Sequence, residues 1–151
     1  MRPFQIANEK RPDKFCEGSR DSMQLNLDYL EDFMRLYKDR GFFSFSHINK
    51  YSHDSSKKIS WLDETLLAFL KRFHADKSLS GNTLLFFFSD HGPRFSQERK
   101  SIKGLLHERN PFFSMYVPEL FQQRYPNEFA SLNKNLDKVT TPMDIHATLM
   151  K

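Results

Sequence analysis

Thr83-Leu84-Leu85-Phe86-Phe87-Phe88 is an unbroken run of apolar and β-branched side chains that gives way at once to Ser89-Asp90-His91-Gly92-Pro93. A short run without a helical period, opened by the turn Ser80-Gly81-Asn82, predicts a strand over 83–89 that is covered on both faces. Strands of that kind belong to sheets with helices packed against them. In open α/β sheets, ligands lie just beyond the carboxyl ends of the strands, and Asp90 and His91 occupy that position. Gly92 lets the chain turn sharply without a side chain in the way, and Pro93 has no amide with which to continue a ladder.

Asp90 supplies an anionic oxygen donor and His91 a neutral nitrogen donor. Together they favour zinc or manganese over calcium. Two ligands do not complete a site, so further ligands must arrive from elsewhere in the fold. The plainer alternative is a strand-end aspartate capping a turn, with a solvated histidine beside it. A second candidate is His53, within Tyr51-Ser52-His53-Asp54. A histidine there can ligate metal, donate to an anionic oxygen or protonate a leaving group, unless it is a loop histidine with Asp54 as a turn residue. Glu108 and Arg109 read better as a structural brace than as catalytic groups. His47, His74 and His146 read as structural or exposed, and Asp63 as a cap or packing acid.

The surrounding elements set the fold class. Leu25, Leu27, Leu30, Phe33, Met34, Leu36 and Tyr37 recur at helical spacing between Asp21 and Arg40, and Gly41 stands where a C-terminal cap would. Residues 42–47 read as a short aromatic strand. Trp61, Leu62, Leu66, Leu67, Leu70 and Phe73 predict a second helix over 61–74, capped by Ser60 with Asp63 and Glu64 in its first turn. Strand, loop, helix, turn and strand in that order predict a βαβ unit. Residues 111–118 give a further strand bracketed by prolines, 119–125 a short helix, 133–138 a polar turn, and Thr141-Pro142 the start of a last helix. The expectation is an α/β fold with a partial, mostly parallel sheet flanked by helices. Residues 1–20 read as an extended or disordered lead-in and 21–151 as one unit.

Charge narrows the partners. The formal net charge is +4, from 23 basic and 19 acidic residues, and the basic residues are dispersed, which argues against a nucleic-acid-binding surface. No apolar stretch approaches the ~20 residues that span a bilayer. The densest basic segment, 94–103, holds Arg94, Arg99, Lys100 and Lys103 and follows the candidate ligands directly. A positive segment beside a metal site suits an anionic substrate such as a phosphate or sulfate ester.

In order along the chain, Leu62-Asp63-Glu64, Gly81-Asn82-Thr83, Ser89-Asp90-His91-Gly92, Lys103-Gly104, Glu108-Arg109-Asn110-Pro111 and Met143-Asp144-Ile145-His146 stand as a set of landmarks. This set resembles the later part of the alkaline phosphatase and sulfatase superfamily. Phe43-Ser44-Phe45 followed by Ser52-His53-Asp54, with the Glu-Arg-x-Pro form, looks most similar to a sulfatase-like animal family of unknown function that is frequent in nematodes.

The resemblance implies that Asp90 and His91 are the later metal pair, and histidine rather than asparagine there is similar to the zinc or manganese phosphoesterase branch. It implies that His53 contacts the ester or leaving group and that Arg94 and Lys103 contact the anion. It also implies an extracellular or secretory-lumen setting. The departure is upstream, where no apolar run ends in an aspartate followed by a threonine or serine at a helix start. With a last helix that stops after two turns, this gives the expectation of a C-terminal portion of a metal-dependent phosphoester or sulfoester hydrolase, inactive alone without its nucleophile. The alternative is a noncatalytic sulfatase-like interaction module with a vestigial metal site.

Overall fold

A computed structural model describes residues 15–53, 56–94 and 97–150. Its first element is a small antiparallel hairpin, β1 (Cys16–Glu17) with β2 (Arg20–Asp21), in register Cys16↔Asp21 and Glu17↔Arg20. The two-residue connection places Gly18 at φ +67°, as a type II′ turn requires of its first central residue. Thus the end of the expected lead-in is paired strand. The rest of that lead-in, residues 1–14, lies outside the described residues.

The hairpin delivers Asp21 to the start of α1 (Ser22–Tyr37). One carboxylate oxygen of Asp21 accepts the amides of Met23 at 2.9 Å and Gln24 at 3.0 Å, satisfying two of the donors that a helix start leaves open. The helix ends at Tyr37, before Gly41, and Gly41 is not left-handed. The expected glycine cap is therefore corrected: Arg40 closes a turn onto the Tyr37 carbonyl at 2.9 Å, and no positive φ is needed.

Residues 42–47 form no strand. Their aromatic rings pack instead, Phe42 edge-on to Phe33 at 5.7 Å and Phe45 against Phe88 at 6.5 Å. Side-chain contact holds this segment beside the sheet without a backbone ladder. A 3-10 helix (Ser56–Leu62) then runs directly into α2 (Asp63–Ala75). Ser60 lies inside that 3-10 turn, its hydroxyl donating to the Lys57 carbonyl at 2.9 Å, and so it does not cap α2. Asp63 and Glu64 do stand in the first turn, where the helix dipole favours negative charge. The short helix α3 (Lys77–Ser80) is capped by Asp76.

Two apolar clusters join these helices. Met23, Leu27, Tyr51 and Phe69 form one, and Met34, Phe73 and Leu79 the other, with Leu30 packed against both. The α1 residues of this set lie three, four or seven positions apart, which is the core stripe of an amphipathic helix. Each such side chain contributes on the order of 1.5–3 kcal/mol when fully buried. Around the rim, Glu31 on α1 accepts from Arg35 at 2.8 Å and Arg72 at 2.9 Å, and Arg35 also reaches Asp76 at 2.5 Å.

The central strand appears as β3 (Leu85–Phe88), and it pairs with β4 (Phe113–Tyr116). The pairing is antiparallel, in register Leu85↔Tyr116, Phe86↔Met115, Phe87↔Ser114 and Phe88↔Phe113. The mostly parallel sheet is thus corrected to two small antiparallel ones. The cause lies in the excursion between the strands. Another 3-10 turn (Gln97–Lys100) leads into α4 (Ile102–Arg109), whose last turn folds back onto Gly92, so the chain re-enters beside the end of β3 running the opposite way.

Leu85 and Tyr116, opposite each other, pack on the second core cluster, while Phe87, Phe88, Phe112 and Phe113 are exposed. The helices α5 (Glu119–Arg124), α6 (Pro126–Lys134) and α7 (Pro142–Leu149) follow. Among the described residues no helix is long and apolar enough to cross a membrane.

Candidate metal centre

Asp90 and His91 follow β3 in a bend, two and three residues past the last ladder pair. The strand end is pinned from both sides by Ser89. Its amide donates to the Phe112 carbonyl at 2.9 Å and its hydroxyl accepts the Phe112 amide at 3.2 Å. Beyond Ser89 the chain leaves the ladder, which frees the next two side chains.

Asp90 Oδ1 accepts the His91 amide at 2.9 Å, fixing the carboxylate against its own backbone. The His91 ring is fixed through Nδ1, 2.7 Å from the Gly92 carbonyl oxygen. A carbonyl can only accept, so Nδ1 carries the proton and, in the neutral ring, Nε2 carries the lone pair. That nitrogen stands 3.4 Å from Asp90 Oδ2. The carboxylate is largely exposed and the ring partly so, so both donors remain open to solvent.

The corner is held by α4. The Gly92 amide donates to the Glu108 carbonyl at 2.9 Å. A Cβ on Gly92 would lie 2.1 Å from the His107 carbonyl oxygen, so glycine is needed here for close approach of two backbones and not for a left-handed turn. Gly104 serves the same purpose near the start of α4, where a Cβ would lie 1.9 Å from the Glu98 carbonyl oxygen. Ser101 starts α4 by accepting the Gly104 amide at 3.1 Å.

Glu108 also holds the basic segment. Its side chain is mostly buried, with Oε2 accepting from Arg99 Nε at 2.7 Å and Oε1 lying 3.8 Å from Arg94 Nε. Glu108 is thus the brace that its sequence context indicated. The sequence placed Arg99 in a basic segment suited to an anion, but its tie to Glu108 joins residues nine apart and left no local signal.

Asp90, His91 and Arg94 share one short loop, tied to Glu108, and Lys103 is exposed on the helix that carries Glu108. His53 sits on a different segment, an exposed position in a turn where its amide donates to the Asn49 carbonyl at 3.0 Å. Its neighbour Asp54 lies outside the described residues. Tyr51, from the same motif, is a core residue whose hydroxyl donates to Asp21. Burial, and then that bond to the Asp21 carboxylate, push its pKa far above the usual tyrosine value.

Asp90 and His91 fit a metal as a pair of donors. Ligand distances of about 2.0–2.1 Å at a tetrahedral angle separate two donor atoms by ~3.4 Å, which is the spacing between Oδ2 and Nε2. The bond from Nδ1 to a backbone carbonyl is the support that ligating histidines commonly have. Among the described residues no group of three His, Cys, Asp or Glu side chains stands close enough to hold an ion.

No curated protein and no solved structure matches the chain. One family does, over residues 1–151, under the description "Protein of unknown function (DUF229)". The chain belongs to this DUF229 family.

Proposed function

We propose that this chain contributes the Asp90–His91 pair to a divalent metal centre of a phosphoester or sulfoester hydrolase, with zinc or manganese favoured over calcium. The observation that carries the reading is the 3.4 Å separation of Asp90 Oδ2 and His91 Nε2, with the ring held through Nδ1. The order of sequence landmarks that resembles the phosphatase and sulfatase superfamily adds to it. A metal there lowers the pKa of a nucleophile and offsets charge on the transferred group. Asp90 and His91 hold it, Arg94 and Lys103 face the anionic ester, and His53 contacts the ester or its leaving group. Asp90 and His91 do not complete the site, and with no nucleophile assigned the 151-residue chain is expected not to turn over ester by itself.

A second reading is a noncatalytic sulfatase-like interaction module whose metal pair is vestigial. It is favoured by the lack of a third donor near the pair among the described residues. Calorimetric titration of the chain with zinc separates the two. Binding that Asp90→Ala and His91→Ala each weaken at least tenfold supports the metal centre, and a chain that takes up no zinc leaves the module. Zinc-dependent cleavage of an aryl phosphate by the chain, abolished by Asp90→Ala, would overturn the claim that it is inactive alone.

A further inference from the structure

We propose that Arg94 and Arg99, held as a pair by Glu108, form a binding site for a tetrahedral oxyanion, phosphate or sulfate, beside the Asp90–His91 corner. The proposal rests on the hydrolase reading for its substrate class but on different atoms for its geometry. Glu108 turns one carboxylate oxygen to each arginine, Oε2 to Arg99 and Oε1 to Arg94, and in both cases the nearer nitrogen is Nε. Among the described residues no hydrogen bond engages the Nη groups of either arginine, and both side chains are about half exposed. The guanidinium ends are therefore the open part of the arrangement.

A guanidinium presents its donors in a rigid fork, and forks of this kind bind the oxygens of phosphate and sulfate in pairs. Arg99, hydrogen-bonded to Glu108 at 2.7 Å, loses less rotamer freedom on meeting an anion than a free arginine would, and the same carboxylate draws Arg94 by charge from 3.8 Å. Glu108 neutralises one of the two charges, leaving a net positive clamp, with Lys103 adding charge on the same helix. The backbone of Glu108 is also the acceptor for the Gly92 amide. One residue thereby fixes the arginines and the loop that carries Asp90 and His91. Glu108 is a positioning residue, and the arginines are the contacts.

The test is titration of the full chain with inorganic phosphate at low salt, in EDTA so that no metal contributes. Arg94→Gln and Arg99→Gln should each weaken phosphate binding about tenfold or more, as losing a charge-assisted bond does. Lys134→Gln, which removes an equal charge from α6, should change it less than twofold.

The sign of the Glu108→Gln effect separates a shaped clamp from a diffuse positive field. Removing the negative charge would tighten binding to a field, whereas a clamp that needs its brace binds several-fold more weakly. The Gly92 amide resonance shows whether the loop is still seated on α4, since its bond is to the Glu108 backbone. If it shifts, the Arg99→Lys variant, which keeps the charge and loses the fork, is read instead and should bind at least several-fold more weakly. Phosphate affinity unmoved by both arginine substitutions, or tightened by Glu108→Gln with Gly92 unmoved, overturns the clamp.

Competition by phenyl phosphate assigns the site to the anionic end of an ester. Binding of inorganic phosphate alone leaves the clamp standing for the free anion and detaches it from the hydrolase reading. Zinc binding that survives in the arginine variants shows that failure of the clamp does not carry the metal reading with it.

Discussion

Gly92 donates its amide to the Glu108 carbonyl at 2.9 Å, and the carbonyl oxygen of His107 stands 2.1 Å from where a Cβ on Gly92 would be. The strand end and the last turn of α4 therefore touch through backbone alone. Neither side can yield by rotating a side chain, so the loop carrying Asp90 and His91 inherits its position from α4.

Gly92→Ala accordingly destabilises the fold, by about 1–3 kcal/mol as overpacking of a tight contact does. The same substitution should lower zinc affinity, because the His91 ring is fixed by the Gly92 carbonyl. Urea unfolding and zinc titration of this one variant measure the two effects. Unchanged values in both would mean that the loop is not seated on α4.

The position of Asp90 and His91 was legible because it depends only on where an apolar run stops, and β3 stops just before them. The helices α1 and α2 were legible for a similar reason, since apolar residues repeat at helical spacing, but the face of α2 was not: Phe69, outside the expected stripe, is buried, while Trp61 and Leu67 are exposed. Strand direction was not. It depends on how the excursion 89–112 returns, and that is decided by Gly92 and Gly104 admitting α4, contacts between residues far apart in sequence. The aromatic alternation of 42–47 resembled a strand, but it is satisfied by ring packing on Phe33 and Phe88. Helix α4 has a serine cap and the spacing Ile102, Leu105, Leu106, and its short apolar face was masked by the basic residues around it.

Phe73 is 3 % exposed and meets Tyr116 of β4 edge-on at 5.4 Å, so it joins the helical layer to the sheet. Phe73→Ala should cost about 3–5 kcal/mol, the transfer free energy of the ring plus the cavity it leaves. Val139 is 98 % exposed, and Val139→Ala should lie within about 0.5 kcal/mol of the parent. Chemical denaturation of the two variants side by side checks the contrast, and equal losses would contradict the placement of the core.

Acid should weaken the joint between α1 and α2. Burial raises the Glu31 pKa, but hydrogen bonds from Arg35 and Arg72 outweigh it and hold the carboxyl below its ordinary range. Asp76 is likewise held low, first by the Ser78 hydroxyl and then by Arg35. A folded-state pKa below the unfolded one gives stability that is complete above the unfolded value, about 4. It is lost as pH falls through the folded value. Glu31→Gln should therefore lower stability at pH 7 by on the order of 1 kcal/mol, the scale of exposed ion pairs, and should flatten the fall below pH 4. A parallel pair of acid titration curves would disprove this.

At the other end of the pH scale the sign reverses at Asp21. One carboxylate oxygen caps α1 through Met23 and Gln24, and the other accepts the Tyr51 hydroxyl. Burial beside that carboxylate raises the Tyr51 pKa, so the group's contribution is complete below the unfolded value near 10 and declines as pH rises through the folded one. Tyr51→Phe should make stability less dependent on pH above about 10, and the pH dependence of the urea midpoint measures it. Asp21→Ala removes the cap, worth ~1 kcal/mol, and the nearer of two acceptors of the Tyr51 hydroxyl, leaving it the Phe15 carbonyl at 3.4 Å, at a further ~0.5–1.5 kcal/mol. In a Tyr51→Phe background the second loss is absent, so Asp21→Ala should cost less there than in the parent. Equal costs in the two backgrounds would show that the carboxylate and the phenol are not coupled.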